Sequence, residues 1–221
     1  MYPAFDHTLI DVPNLAEAVG EYQQLLGIDY ARSFELANIN IQLRENPALD
    51  AAQITHLALL DPTMDGQGIS PLAGGPRNIP LAKACTRPAE FRQLQSNTGI
   101  YAIDHLVLQT ADADACIDLF GEQMGLRLAL DQEVPEWGGR MLFFRHGKMT
   151  LEVIQNLKEP PARDFFWGIT YLCRDLEQTV SSLDQLGIAH SPIREGRKPG
   201  TRVSTVKSHC LGLPTLLIEK P

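Results

Sequence analysis

The chain has 221 residues, 44% of them hydrophobic and 21% charged, and its 19 Lys and Arg against 27 Asp and Glu give a formal net charge of −8. That balance argues against a general affinity for nucleic acid or an anionic membrane surface, and the apolar content is ample for a folded core. No stretch of about 18 apolar residues is present, the opening MYPAFDH has no basic run ahead of an apolar one, and Cys85, Cys116, Cys173 and Cys210 form no CxxC pair, so the expectation is a soluble, cytoplasmic protein with reduced cysteines.

The first predicted element starts at Asp6. DHTLIDVPNLAEAVGEYQQLLG reads as a short alternating strand, a polar cap, an amphipathic helix and a terminal glycine. The same grammar returns in DHLVLQTADADACIDLFGEQMG from Asp104 and in WGITYLCRDLEQTVSSLDQLG from Trp167. From His7 to Gly27 and from His105 to Gly125 is 20 residues, and from Gly168 to Gly187 is 19. Such a recurrence marks an internal repeat. Seven residues after His7, His105 and Gly168 stand Asn14, Asp112 and Asp175, residues whose side-chain oxygens satisfy the orphan amides at a helix start. The apolar stripes Leu15, Val19, Tyr22, Leu26, then Cys116, Leu119, Phe120, Met124, then Leu176, Val180, Leu183, Leu186 give each helix one core-facing side.

Strand-like runs follow each helix. LRLALDQEV, RMLFFRHG and MTLEVIQ complete the second copy, and IAHSPIREG, RVSTVKS and TLLIEK the third, so the repeat reads as βαβββ. In the first copy NPALDAAQITHLALLD fits either a hairpin and strand or, from ALDAAQ, a short helix. The segment after Asp61, with GQGISPLAGGPRNIP, reads as loop, with a short helix from Pro88 to Gln95 as an option.

This arrangement resembles the vicinal oxygen chelate superfamily, which includes glyoxalase I, extradiol dioxygenases, and the fosfomycin and bleomycin resistance proteins. The string DHLVLQTADADACIDLFGEQMGLRL carries the resemblance, which covers roughly residues 100 to 220 and the opening half of the first copy. It implies an α+β fold of repeated βαβββ units, two of which pair into a curved, cup-like sheet with helices on the convex face. The expected division is a degenerate N-terminal unit over 1–61, a linker over 62–99, and a glyoxalase-like domain over 100–221 built from paired units 100–157 and 165–220.

Strand alternation puts His105, Val107 and Gln109 on one face and Leu106 and Leu108 on the other, against the helix. Glu152 and Glu219 each stand between apolar strand neighbours, where a carboxylate has to be paired, metal-bound or protonated. The resemblance implies metal ligands at the start of the first strand and in the last strand of each paired unit, here His105 and Glu152, then Gly168 and Glu219. Gly168 departs from the pattern where relatives place a second His. One imidazole with two carboxylates suits a divalent ion such as Mn, Ni, Zn or Mg better than Fe. His7 and His56 would join His105 and Glu152 if the first unit paired with the second. The basic residues Arg194, Arg197, Lys198 and Arg202 lie on a Pro-Gly loop that could hold a substrate anion, and Trp137 lies in a turn at the rim of the cup. His190 and His209 read as solvent-facing, and Tyr171 as helix-facing.

The resemblance then implies a glyoxalase-like, metal-dependent isomerase or lyase. It would act on a small oxygen-rich substrate by chelation and stabilisation of an enolate or similar oxyanion, with Glu152 or Glu219 moving the proton. The alternatives are a metal-free protein that sequesters a small molecule, as in bleomycin resistance, and an extradiol-type dioxygenase. A small-molecule ligand and a homodimer are expected, without nucleic acid or membrane partners.

Overall fold

The structure, a computed structural model, describes residues 2, 4–64, 68–86, 91–136 and 138–221. The fold is α+β, with fourteen strands and three α-helices among the described residues. Contacts divide the chain into two compact units, one of residues 1–8, 54–91 and 105–167 and the other of 9–53, 92–104 and 168–221. Where a single domain is expected over 100–221, the second and third copies of the repeat thus fall in different units.

In the first unit, residues 105–110 of β7 (Ile100–Thr110) lead into the helix α2 (Ala113–Cys116), which continues as π-helix over Ile117–Gln123. Asp112 caps its start, its carboxylate accepting from the Ala115 amide at 3.0 Å. The strands β8 (Arg127–Val134), β9 (Gly139–His146) and β10 (Met149–Asn156) follow. β10 runs parallel to β7 and antiparallel to β9, and β9 antiparallel to β8. The helix covers one face. Leu106, Leu108, Leu142, Phe144, Leu151 and Val153 are fully buried there, and the rings of Phe120 and Phe144 meet at 5.4 Å. Each such side chain contributes about 1.5–3 kcal/mol on leaving water.

The same unit holds most of β4 (Gln53–Leu60), with β5 (Ile69–Leu72) and β6 (Leu81–Ala84), β6 lying parallel to β4 and antiparallel to β5. β4 answers the open question at 46–61 in favour of a strand. The expected linker therefore carries two strands of its own. They are too short, and ISPL too interrupted by proline, for periodicity to reveal them. The helix option from Pro88 falls partly outside the described residues, and 91–95 is not helical.

In the second unit, α1 (Leu15–Leu26) and α3 (Leu176–Gln185) start at the expected caps. Asn14 accepts from the Glu17 amide at 3.1 Å and Asp175 from the Gln178 amide at 3.0 Å. Gly27 closes α1 at φ 64°, the left-handed conformation that its position demands. The buried side of α1 is Ala18, Tyr22, Leu25 and Leu26, rotated slightly from the expected stripe, and that of α3 is Leu176, Thr179 and Leu183. Residues 9–12 of β1 (Phe5–Val12) accompany β3 (Asn40–Glu45), which pairs with the two-residue β2 (Phe34–Glu35). Residues 168–173 of β11 (Phe165–Cys173) pair with β14 (Thr215–Glu219) in parallel, β14 pairs with β13 (Arg202–Val206), and β13 with β12 (Arg194–Glu195), both antiparallel. The third copy thus repeats the strand order of the second. No helix among the described residues is long and apolar enough to cross a membrane.

Candidate functional site

Register fixes which side chains share the uncovered face of the first unit. Directly opposed residues point the same way, so three rows cross β7, β10, β9 and β8 in turn. One row is His105, Thr150, Arg145 and Arg127. The next is Val107, Glu152, Phe143 and Leu130, and the third Gln109, Ile154, Met141 and Gln132. A bulge between Leu128 and Leu130 lets β8 keep this facing. Most of these side chains are half-buried, whereas their helix-side neighbours are fully buried.

His105 and Glu152 meet on this face. Nε2 of the imidazole lies 3.0 Å from Oε2 of the carboxylate, and the two side chains keep 17% and 12% of their exposure. They are near enough to share a proton and open enough for a small molecule to reach. Val107, Phe143, Met141, Ile154 and Leu130 supply an apolar floor beside them.

His7 and His56 also belong to this unit, and their rings stand edge to face at 5.5 Å. Nδ1 of His7 is 2.7 Å from the buried Asp6 carboxylate, which also accepts from the Thr86 hydroxyl at 2.5 Å and the Thr86 amide at 2.8 Å. Burial pushes the Asp6 carboxyl up, but the hydrogen bonds from His7 and Thr86 outweigh it and hold the group below the usual carboxylate range. These residues form a buried polar knot. They do not complete a donor set with His105 and Glu152, because no cluster of three or more His, Cys, Asp or Glu fit to hold a metal ion occurs among the described residues. Among the described residues the His105–Glu152 pair offers one imidazole and one carboxylate, fewer than the three protein ligands typical of a catalytic metal centre.

Glu219 belongs to the second unit and is engaged there. Its carboxylate accepts from the Leu176 amide at 2.6 Å, at the start of α3, and from the Arg202 guanidinium at 2.8 to 3.1 Å. Arg202 in turn reaches Glu177 at 2.6 Å. Arg202 is thus held by two carboxylates, whereas Arg194, Arg197 and Lys198 of the same basic run are exposed. Gly168 is closed to any side chain, since a Cβ there would stand 2.5 Å from the Pro214 carbonyl oxygen. Trp137 lies outside the described residues. His190, expected in solvent, is instead held by Asp184 at 3.0 Å and the Ser191 carbonyl at 2.9 Å. Tyr171 is buried as expected.

Sequence reasoning missed Arg127, Arg145, Thr150 and the apolar floor, because only the paired register and the bulge on β8 bring them to the face of His105. Two surface grooves of about 680 and 530 Å³ lie in the second unit, and neither is lined by His105 or Glu152. They hold no titratable pair of comparable geometry, so the open face of the first unit is the better candidate.

Residues 104–205 match the model of the Glyoxalase/Bleomycin resistance protein/Dioxygenase superfamily. No curated protein matches the chain. Among solved structures, methylmalonyl-CoA epimerase from Mycobacterium tuberculosis is similar at 15% identity and a TM-score of 0.50, over 58% of this chain and 94% of that one. Methylmalonyl-CoA epimerase from Streptomyces coelicolor, in complex with 2-nitronate-propionyl-CoA, is similar at 18% identity and 0.45, over 55% and 98%. A hypothetical protein from Bacillus halodurans C-125 is similar at 16% and 0.46, over 54% and 94%. At 15% identity the likeness to the Mycobacterium tuberculosis protein speaks to fold alone.

Proposed function

We propose that the open face of the first unit is the active site of an isomerase or lyase acting on a small, oxygen-rich molecule, a reading supported by the match of residues 104–205 to the glyoxalase, bleomycin resistance protein and dioxygenase superfamily model. The observation that carries this reading is the His105 to Glu152 contact at 3.0 Å on a half-buried, apolar-floored face. In the proposed reaction a C–H bond beside a carbonyl breaks. Its proton passes to the Glu152 carboxylate, its electron pair moves to the carbonyl oxygen, and the Nε2–H of His105 donates to the enolate oxygen so formed. Return of the proton at the same or the neighbouring carbon gives racemisation or isomerisation, and loss of a group from the adjacent carbon gives a lyase. A cytoplasmic setting and a homodimer are the expected context of this activity.

The test is deuterium exchange from D2O at carbons flanked by two oxygen functions, in hemithioacetals of 2-oxo aldehydes and in malonyl-type thioesters, followed by NMR and with the metal content of the protein measured alongside. Exchange accelerated by the wild type and reduced about 10²-fold or more in Glu152→Gln is the expected result. Equal exchange by the wild type and a folded Glu152→Gln would overturn the reading. Saturable binding of such a molecule without exchange would instead favour a sequestering protein, for which the apolar floor is equally suited.

A further inference from the structure

Arg127 and Arg145 stand directly opposite each other across the β8–β9 ladder. Direct cross-strand neighbours hold their Cβ atoms about 5 Å apart, and like charges there are unfavourable. Both side chains are exposed, and neither has a carboxylate partner among the described residues. The sheet does supply acids elsewhere. Arg140, on the helix side of β9, is gripped by both Asp131 oxygens and by Asp114, each at 2.7 Å. Glu152, a carboxylate on the open face, is turned to His105. Two arginines therefore stand side by side in the ladder, on the same face and in the same row as His105, with no carboxylate partner among the described residues.

We infer that Arg127 and Arg145 form a cradle for an oxyanion, and that the ligand of the open face is a small molecule with a phosphoryl or carboxylate group at its far end. Guanidinium forks match the geometry of both groups and gain most where a second cation reinforces them. Register supplies the spacing. Arg145 is two strands from His105 and Arg127 three, at about 4.8 Å per strand, so the anion would sit on the order of 10 Å from His105, with Phe143 and Leu130 in the neighbouring row. A ligand of that length has a reactive, oxygen-rich head at one end, an apolar or uncharged middle, and a charged tail at the other. Assigning the head to chemistry rests on the function proposed above. The cradle itself rests only on the arginine pair.

The experiment is isothermal titration of the full chain, at low salt, with pyrophosphate and with succinate. It is run on the wild type, on Arg127→Gln with Arg145→Gln, and on Arg32→Gln, an exposed arginine of the second unit. Binding of at least one probe by the wild type and by Arg32→Gln, weakened about tenfold or more in the double variant, is the expected result, and the preferred probe identifies the oxyanion. Thermal unfolding without added anion should show the double variant at least as stable as the wild type, since it removes a like-charge pair, and the wild type and Arg32→Gln, unlike the double variant, should gain stability from the probe. Binding of neither probe, equal binding by the wild type and the double variant, or equal weakening in Arg32→Gln would each overturn the cradle. Intact anion binding with no deuterium exchange counts against the chemistry at His105 and Glu152 and leaves the cradle standing.

Discussion

His105 and Gly168 hold equivalent positions in β7 and β11, yet one carries a polar centre and the other has no room for a Cβ beside the Pro214 carbonyl. Glu152 and Glu219 do not hold equivalent positions, since Glu152 pairs with Val107 where the third copy has Leu216 beside Thr170, and Glu219 falls where the second copy has Gln155. The first faces an open sheet surface beside an imidazole, and the second is taken up by Arg202 and the start of α3. Surroundings, as much as place in the repeat, thus decide what a side chain can do. His146 makes the point for titration. It lies buried against the edge of Phe5, with ring centroids 5.1 Å apart, and burial lowers its pKa to about 4. Its folded value lies below the unfolded value of about 6.5, so its neutral form stabilises the fold fully above pH 6.5, and that contribution is lost as pH falls from about 6.5 toward 4. The loss is on the order of 3 kcal/mol. Chemical denaturation at pH 7 and pH 4.5 should therefore show the wild type losing more stability than His146→Leu, with the gap between the two closing or reversing as the solution is acidified.

At the level of elements, α3 is fastened at its first turn by an arrangement that sequence spacing shows only in part. Asp175 as the cap is legible three residues before Gln178. The second tie, from Glu219 to the Leu176 amide at 2.6 Å, joins residues 43 apart and depends on the parallel pairing of β11 with β14. Replacing Glu219 by Gln should cost on the order of 1–2 kcal/mol, read as a shift of the urea midpoint at neutral pH. What periodicity conveys is the existence of each helix, its cap, its terminal glycine and the inward face of its strands. What it does not convey is any feature set by pairing. The α2 helix widens into a π-helix, with the Met124 amide reaching the Leu119 carbonyl at 3.0 Å, while its apolar residues Cys116, Leu119, Phe120 and Met124 stay buried. The bulge on β8 sets Arg127 opposite Arg145, and nothing in LRLALDQEV announces it. His105 and Glu152 were legible because alternation and burial cost act within single strands, and the arginine row was not, because it belongs to four strands at once.

Across the whole molecule, chain order and compact unit do not coincide. The second copy of the repeat shares its unit with residues 54–91, and the third shares its unit with residues 9–53. Within the first unit, Arg77 reaches Asp164 at 2.9 Å, and the same carboxylate accepts from Thr110 at 2.6 Å, where α2 begins. Within the second, Asn38 exchanges hydrogen bonds of 2.6 and 3.0 Å with the backbone of Ile103, and the Arg174 guanidinium donates to the Leu94 carbonyl at 2.9 Å. The segment 1–99 therefore supplies each unit with partners that residues 100–221 cannot replace, although the family match lies wholly within the latter. Apolar surface buried against a missing segment returns to water at about 25 cal/mol per Å², and the Ile103 amide and carbonyl lose their partner as well. With domains stable by only about 5–15 kcal/mol, residues 100–221 expressed alone should fail to unfold cooperatively and should expose amides that are protected in the full chain. Hydrogen exchange followed by mass spectrometry checks this directly. Sharp cooperative unfolding of the fragment, with protection equal to that in the full chain, would show that 100–221 is a self-sufficient domain.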